Sequence, residues 1–529
     1  MKRFSLLVPA IVFFIVLQPC TASTSTRRQK DEAERKRSEN LERKFKRVLD
    51  KQNAEFAVRV KGLAQWCAQK GFGAEALDLW DNAKELDPDL KGQCPAASEA
   101  IPTDDDKAAF KSKKKAVFDS QAAELFKLGS TCYKAGLIGR AYDMVWEAVI
   151  CNPDHASARK LLGQAKYNGE WMDNYDVAQL KRGRVFKDEY GWVSKSDLAR
   201  YEKGLMPLRG KWLPAEEVQE ARSKWSSAWE FDTEHYHIQS NVSLADAVAF
   251  GKICEDNYKL FFRMFIGYFS SRNQGQMLFG GKQEKRLMKV NYFATKEQFK
   301  STLGSIVPDM AAGIYISGRP QGSANFFKID WATNTKILKH EATHQLFAES
   351  RRLAGGSRCG AWVVEAVATY METCSRVDGR IVTKGRKAPW VQAFKQVLQK
   401  GMSKPLRDFD QVSYQGFMAV GPGIAYPQAA SLACFLMEAD DGNYRERFVD
   451  YVEAYYMGKL HAGGKLEEYT GTSYTELEDQ FRTFILEDDT AAEGKPEAEE
   501  ETKTEEKQKT EEKPKGEDKP KAENKTKSN

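Results

Sequence analysis

Histidine is scarce in this chain of 529 residues, which holds only six. Any pair of them at a meaningful spacing therefore carries information. Net charge is scarce as well: 81 basic and 75 acidic side chains leave a formal +6. That is too small for the concentrated basic face of a nucleic-acid binder, so no nucleic acid is expected as a partner. A mean hydropathy of -0.60 excludes a polytopic membrane protein. A hydrophobic content of 41% is enough for a real core and excludes a wholly disordered chain. Length alone suggests about three domains.

The two ends read as separate from the fold. In residues 1–22, Lys2 and Arg3 precede an apolar stretch from Phe4 to Leu17, and Cys20, Thr21 and Ala22 follow. This is the layout of a secretory signal peptide, and it predicts an exported protein, periplasmic or extracellular, with no membrane span after cleavage. An uncleaved anchor is one alternative. Lipid attachment through Cys20 is another, against which Gln18-Pro19 speaks. The far end, residues 489–529, is predicted to be a disordered tail. From Glu493 onward it carries 12 acidic residues and 10 lysines without one aromatic residue, Leu, Ile, Val or Met, so nothing there offsets the entropy of ordering.

Residues 23–225 read as an all-α, repeat-like region. A long charged helix is expected over 25–60. Leu63, Ala64 and Cys67 then share a helical face, Gly71 and Gly73 mark a turn, and Ala76, Leu77, Trp80 and Ala83 line a second helix that Asp87-Pro88 ends. A second copy over 122–162 turns at Gly136, buries Ala141, Val145 and Ala148, and stops at Asn152-Pro153. The order resembles degenerate tetratricopeptide repeats, a surface for a protein partner; generic helical hairpins give the same pattern. Between 167 and 213, Trp171, Trp192 and Trp212 each follow a glycine by one or two residues, and read as structural staples between helices.

From Ser226 to residue 488 the pattern becomes α+β. Strands are expected at Trp229–Asp232, His235–Ser240, Lys289–Phe293, Ala312–Ile316 and Ala324–Ile329, with helices over 243–269 and 296–303. His235 and His237 alternate on one strand face and are weak metal candidates; a strand surface is the preferred reading. Later helices are expected over 390–399, 429–438, 445–456 and 475–485.

The chemistry concentrates in KILKHEATHQLFAE, residues 336–349. His340 and His344 lie four apart, so on a helix both imidazoles reach one tetrahedral ion, and Glu341 is placed to take a proton from water. Ile337, Leu338, Leu346 and Phe347 make the helix a buried one, where two histidines and a glutamate need partners. Further on, GAWVVEAVATYMET (360–373) is a second apolar helix, with Glu365 the one carboxylate in its apolar first half. His340, His344 and Glu365 with a water form the open site of a catalytic zinc, one Zn2+ ion, with Glu341 as general base.

HEATHQL (340–346) and WVVEAVATYME (362–372) resemble the gluzincins, zinc metallopeptidases whose third ligand is a glutamate. More narrowly, the chain resembles the secreted DUF1570-type proteins of planctomycete-like bacteria, over roughly residues 226–486, with YPQAASLACFLMEADDGNYRERFVDYVEAYY (426–456) in support. The resemblance implies zinc on His340, His344 and Glu365, and Glu341 as base. It also implies that a strand before the first metal helix aligns an extended substrate, Ala312–Ile316 being the better of two candidates. Two departures stand out. Ala366 follows Glu365 where many relatives have glycine. Thr369 occupies the position at which thermolysin-like enzymes place an aspartate to orient a histidine, so that supporting carboxylate must come from elsewhere. Tyr426 is a candidate oxyanion donor, with core packing preferred.

The reading is a secreted zinc-dependent peptidase acting on a peptide or protein substrate. The rivals are a non-catalytic helical-repeat binding protein with a structural or vestigial zinc site, and a cell-envelope peptide hydrolase. Export permits disulfides among the cysteines. Cys359 and Cys374 bracket the Glu365 helix, roughly 20 Å long, which argues against their pairing.

Overall fold

The computed structural model describes residues 24–269, 286–309, 311–318, 321–349, 357–377, 379–460 and 466–487. The expected signal peptide and charged tail lie outside the described residues, as do Arg319 and Pro320. The described residues up to Leu486 form one compact unit.

The chain opens with two antiparallel helical hairpins. The first pairs α1 (Thr24–Gln69) with α2 (Gly73–Leu86), and the second pairs α3 (Asp104–Ala135) with α4 (Ile138–Cys151). Apolar spacing explains the pairings: Phe56, Val60, Leu63, Ala64 and Cys67 of α1 bury against Ala76, Leu79, Trp80 and Ala83 of α2. Leu77, expected on that inner face, is 54% exposed, and Leu79 takes its place. Thr103 and Asp106 form a reciprocal capping box at the start of α3. Gly136 ends the same helix at φ 88°, a conformation that glycine adopts without steric penalty. The short α5 (Ala156–Leu161) follows.

The all-α expectation for 23–225 fails beyond this point. Residues 164–222 hold three copies of a two-stranded hairpin followed by a short helix: β1 (Gln164–Tyr167), β2 (Glu170–Asp173) and α6 (Asn174–Lys181); β3 (Arg184–Lys187), β4 (Gly191–Ser194) and α7 (Leu198–Tyr201); β5 (Leu205–Leu208), β6 (Lys211–Pro214) and α8 (Ala215–Arg222). The reason is turn chemistry. Asn168-Gly169 and Arg209-Gly210 have positive φ at both residues, the backbone of a tight two-residue hairpin. The same backbone bond closes each copy: Asn174 N–H to Gly163, Lys195 N–H to Gly183 and Ala215 N–H to Gly204, at 2.9, 2.9 and 2.8 Å. Each tryptophan lies on the second strand of its hairpin. Trp171 donates to Asp154 at 2.8 Å, Trp192 packs edge-on to Phe186, and Trp212 packs against Tyr201.

The α+β part is built on a five-stranded mixed sheet ordered β10-β11-β9-β8-β7. β7 (Trp229–Asp232) and β8 (Tyr236–Ser240) are antiparallel, and α9 (Leu244–Phe265) crosses to β9 (Met288–Phe293), which is parallel to β8. After α10 (Lys296–Leu303), β10 (Gly313–Ile316) forms an antiparallel pair with β11 (Ser323–Phe327), itself parallel to β9. Among the described residues, the sheet therefore has β10 and β7 as its edges.

Then come α11 (Trp331–Glu349) and α12 (Trp362–Met371), the hairpin of β12 (Cys374–Val377) and β13 (Arg380–Thr383), and the closing helices α13 (Pro389–Gln399), α14 (Leu406–Asp410), α15 (Tyr414–Val420), α16 (Pro422–Gly442), α17 (Arg445–Tyr456), α18 (Leu466–Thr470) and α19 (Tyr474–Leu486). The helical hairpins lean on this part through ion pairs, among them Arg445–Asp143 at 3.0 Å. Among the described residues, Cys67, Cys94, Cys132, Cys151, Cys254, Cys374 and Cys434 are thiols outside any disulfide.

One buried carboxylate organises the lower half. Asp410, 1% exposed, accepts the Trp362 indole N–H at 3.0 Å and the Leu466 amide at 2.9 Å, and both the Tyr451 and Tyr474 hydroxyls donate to it. Its own carbonyl takes the Gly360 amide at 2.9 Å. Replacing it strands four buried donors, each worth on the order of 1 kcal/mol or more. Asp410→Ala should lower the unfolding free energy by about 3 kcal/mol or more in chemical denaturation.

Candidate metal centre

Two helices bring the site together, and each is fixed by polar side chains buried in the core. At the start of α11, Asn334 is fully buried; it donates to the Phe327 carbonyl at 2.9 Å and accepts the Ile329 amide at 2.9 Å. Further along, Gln345 donates to the Lys289 carbonyl of β9 at 2.8 Å. The metal helix is thereby pinned to two neighbouring strands. On α12, Trp362 and Gly360 hold the N-terminus to Asp410, which sets Glu365 one turn in, facing α11.

His340 Nε2 lies 3.2 Å from Glu365 Oε2, and His344 Nε2 lies 3.8 Å from the same oxygen. One donor atom from each of the three residues falls within 4.8 Å of the others. Glu365 is 6% exposed, and beyond the two imidazoles its Oε2 has no hydrogen-bond partner. A carboxylate oxygen facing only two imidazoles in such a place is costly to desolvate. A cation on the three donors removes that cost, so the residues present fit a divalent ion.

The orienting carboxylate is Glu372, the residue after α12. Its Oε1 is 2.8 Å from His340 Nδ1, and its Oε2 accepts the Trp390 indole N–H at 3.2 Å and pairs with Lys336 Nζ at 3.3 Å. With Nδ1–H given to Glu372, a neutral His340 would present the lone pair of Nε2 to a bound cation. Glu372 lies two turns beyond Glu365, and that spacing was the available signal in the sequence. Thr369, at the thermolysin-like position, instead turns its hydroxyl back to the Glu365 carbonyl at 2.7 Å.

The electrostatics follow from this packing. Burial pulls the His340 imidazolium down, but the Glu365 and Glu372 carboxylates on either side outweigh it and push its pKa up to about 10. His344, buried and without such a partner at Nδ1, is lowered. Burial raises Glu365, yet the two imidazoles more than offset it and hold it below the ordinary carboxylate value. Tyr426 and Tyr414 stand on the other side. Burial and then the charge of Glu365 push both hydroxyls up. The Tyr426 ring also packs on Phe417 at 5.4 Å, so the packing role expected of it and a place beside Glu365 occur together.

Glu341 is next to the cluster. Its Oε2 accepts the backbone N–H of Tyr315 on β10 at 2.8 Å. A cavity of about 460 Å³ opens here between β10 and α11, lined by Pro308, Ala312, Ile314, Lys336, Ile337 and Glu341 among others. His235 and His237 lie elsewhere. His235 Nδ1 pairs with Glu255 Oε2 at 2.7 Å, and Glu255 Oε1 already accepts the His235 amide and the Thr233 hydroxyl. His237 pairs with Asp232 at 2.7 Å near the surface.

Comparison with protein-family models, with curated proteins and with solved structures finds no match.

Glu365→Ala should abolish stoichiometric binding of one zinc ion. Glu372→Ala should keep the site but weaken its affinity roughly 10- to 100-fold. Metal analysis and competition with a chromophoric chelator read both.

Proposed function

We propose that this protein is a zinc-dependent peptidase of gluzincin type, exported from the cell and resembling the DUF1570-type proteins. The observation that carries the proposal is the convergence of His340, His344 and a buried Glu365 oxygen beside Glu341 and an edge strand. Two imidazoles and one carboxylate suit zinc and leave a position open. Bound there, zinc supplies a Lewis acid that polarises a carbonyl and acidifies water.

The remaining work belongs to the chain's own groups. Glu341 takes a proton from the attacking water at its free oxygen and passes it to the leaving amine. β10 offers an open edge to an extended peptide, and the cavity beside it receives a substrate side chain. Glu372 keeps His340 in the tautomer that binds metal. The paired helices α1–α4 resemble tetratricopeptide-like hairpins and suit a protein partner.

Glu341→Gln should retain one zinc ion and lose peptide hydrolysis by roughly 100-fold or more on a broad peptide library. Wild type and variant equally inert on that library would refute the peptidase reading and leave a binding protein with a structural ion.

A further inference from the structure

Among the described residues β10 is an edge strand, and its backbone groups alternate between β11 and the open side. The Tyr315 N–H is directed at Glu341 Oε2, 2.8 Å away, so Tyr315 stands opposite Ala324 without donating to it. By alternation Gly313 also faces outward, while Ile314 and Ile316 face β11. Of the two outward amides, Glu341 occupies one.

Two anchors hold this contact in place. A Cβ at Gly313 would lie 2.5 Å from Ile337 Cγ2 and 3.2 Å from Glu341 Cγ, so only glycine lets the strand approach the helix this closely. On the other side, Glu349 Oε1 accepts the Tyr315 hydroxyl and the Gly322 amide, both at 2.7 Å. The strand is thus fastened to α11 on both sides of the Tyr315 amide.

We infer that the backbone N–H of Tyr315 is a positioning group for Glu341, reserved for that carboxylate and withheld from substrate. It fixes one oxygen of Glu341 and leaves the other free to hold a proton. An extended peptide then takes its backbone bonds from the Gly313 side of β10, toward the cavity that Pro308, Ala311 and Ala312 help to line. The catalytic consequence rests on the peptidase reading; the contact itself does not.

The test has two arms on the full chain. An outward amide on an edge strand lacks a ladder partner and exchanges with solvent quickly unless something else holds it. In metal-free protein labelled with 15N-tyrosine, the Tyr315 amide should exchange about tenfold or more slowly in wild type than in Glu341→Ala; equal rates would overturn the inference. For the second arm, Tyr315→Pro deletes the N–H without removing a ladder bond, and Tyr315→Ala deletes the hydroxyl but keeps the N–H. Both should bind one zinc ion. On a peptide that wild type cleaves, the proline variant should show kcat lowered roughly 10- to 100-fold relative to the alanine variant, with KM little changed. A raised KM at constant kcat would assign the amide to substrate and overturn the proposal. Should wild type cleave nothing, the peptidase reading falls, and the exchange arm decides the Tyr315–Glu341 contact by itself.

Discussion

Three lone pairs aimed at one point are the constraint on which the centre of this molecule depends. His340 Nε2 and His344 Nε2 lie 3.2 and 3.8 Å from Glu365 Oε2, while His340 Nδ1 lies 2.8 Å from Glu372 Oε1. Such a cluster is unfavourable unless a cation joins it or a proton stands in for one. The rise in the His340 pKa expresses the second of these outcomes. Everything around the cluster opposes its relaxation. Asn334 and Gln345 tie α11 to the sheet, and Trp362 ties α12 to Asp410. The packed aromatic core, with Phe347 stacked on Tyr456 and Trp362 on Phe448, fills the space on the far sides of both helices.

The parts of the site legible in the sequence were those that violate a pattern. Histidines four apart and a glutamate inside otherwise apolar helices stand out because burial without partners is unfavourable. The strand–helix alternation from Trp229 to Glu349 was readable for a similar reason, since periods of two and of 3.6 segregate cleanly there. Helix ends at Gly136, Asp87 and Asn152 were marked by residues whose local chemistry stops a helix.

What was missed has equally local causes. Strands of four residues, as in β1 to β6, are too short to display alternation. Their signal was the turn itself, Asn168-Gly169, read as a staple between helices instead of a hairpin. Glu372 was overlooked because it lies past the apolar part of its helix and looks like an ordinary surface acid. Its partners, Lys336 and Trp390, come from two other elements, and only the fold unites them. The Tyr315 amide could not be found from side-chain identity at all, because every residue except proline has one.

Asp410 has a temporal implication as well as a structural one. The groups that saturate it come from both directions along the chain: Trp362 and Gly360 precede it, while Tyr451, Leu466 and Tyr474 follow. A growing polypeptide that has already displayed both metal helices still lacks the hydroxyls and the amide that neutralise this buried acid. Until α18 and α19 emerge, the set of donors around Asp410 is incomplete. The direction of Glu365 is thereby linked to helices that lie far beyond it in the chain.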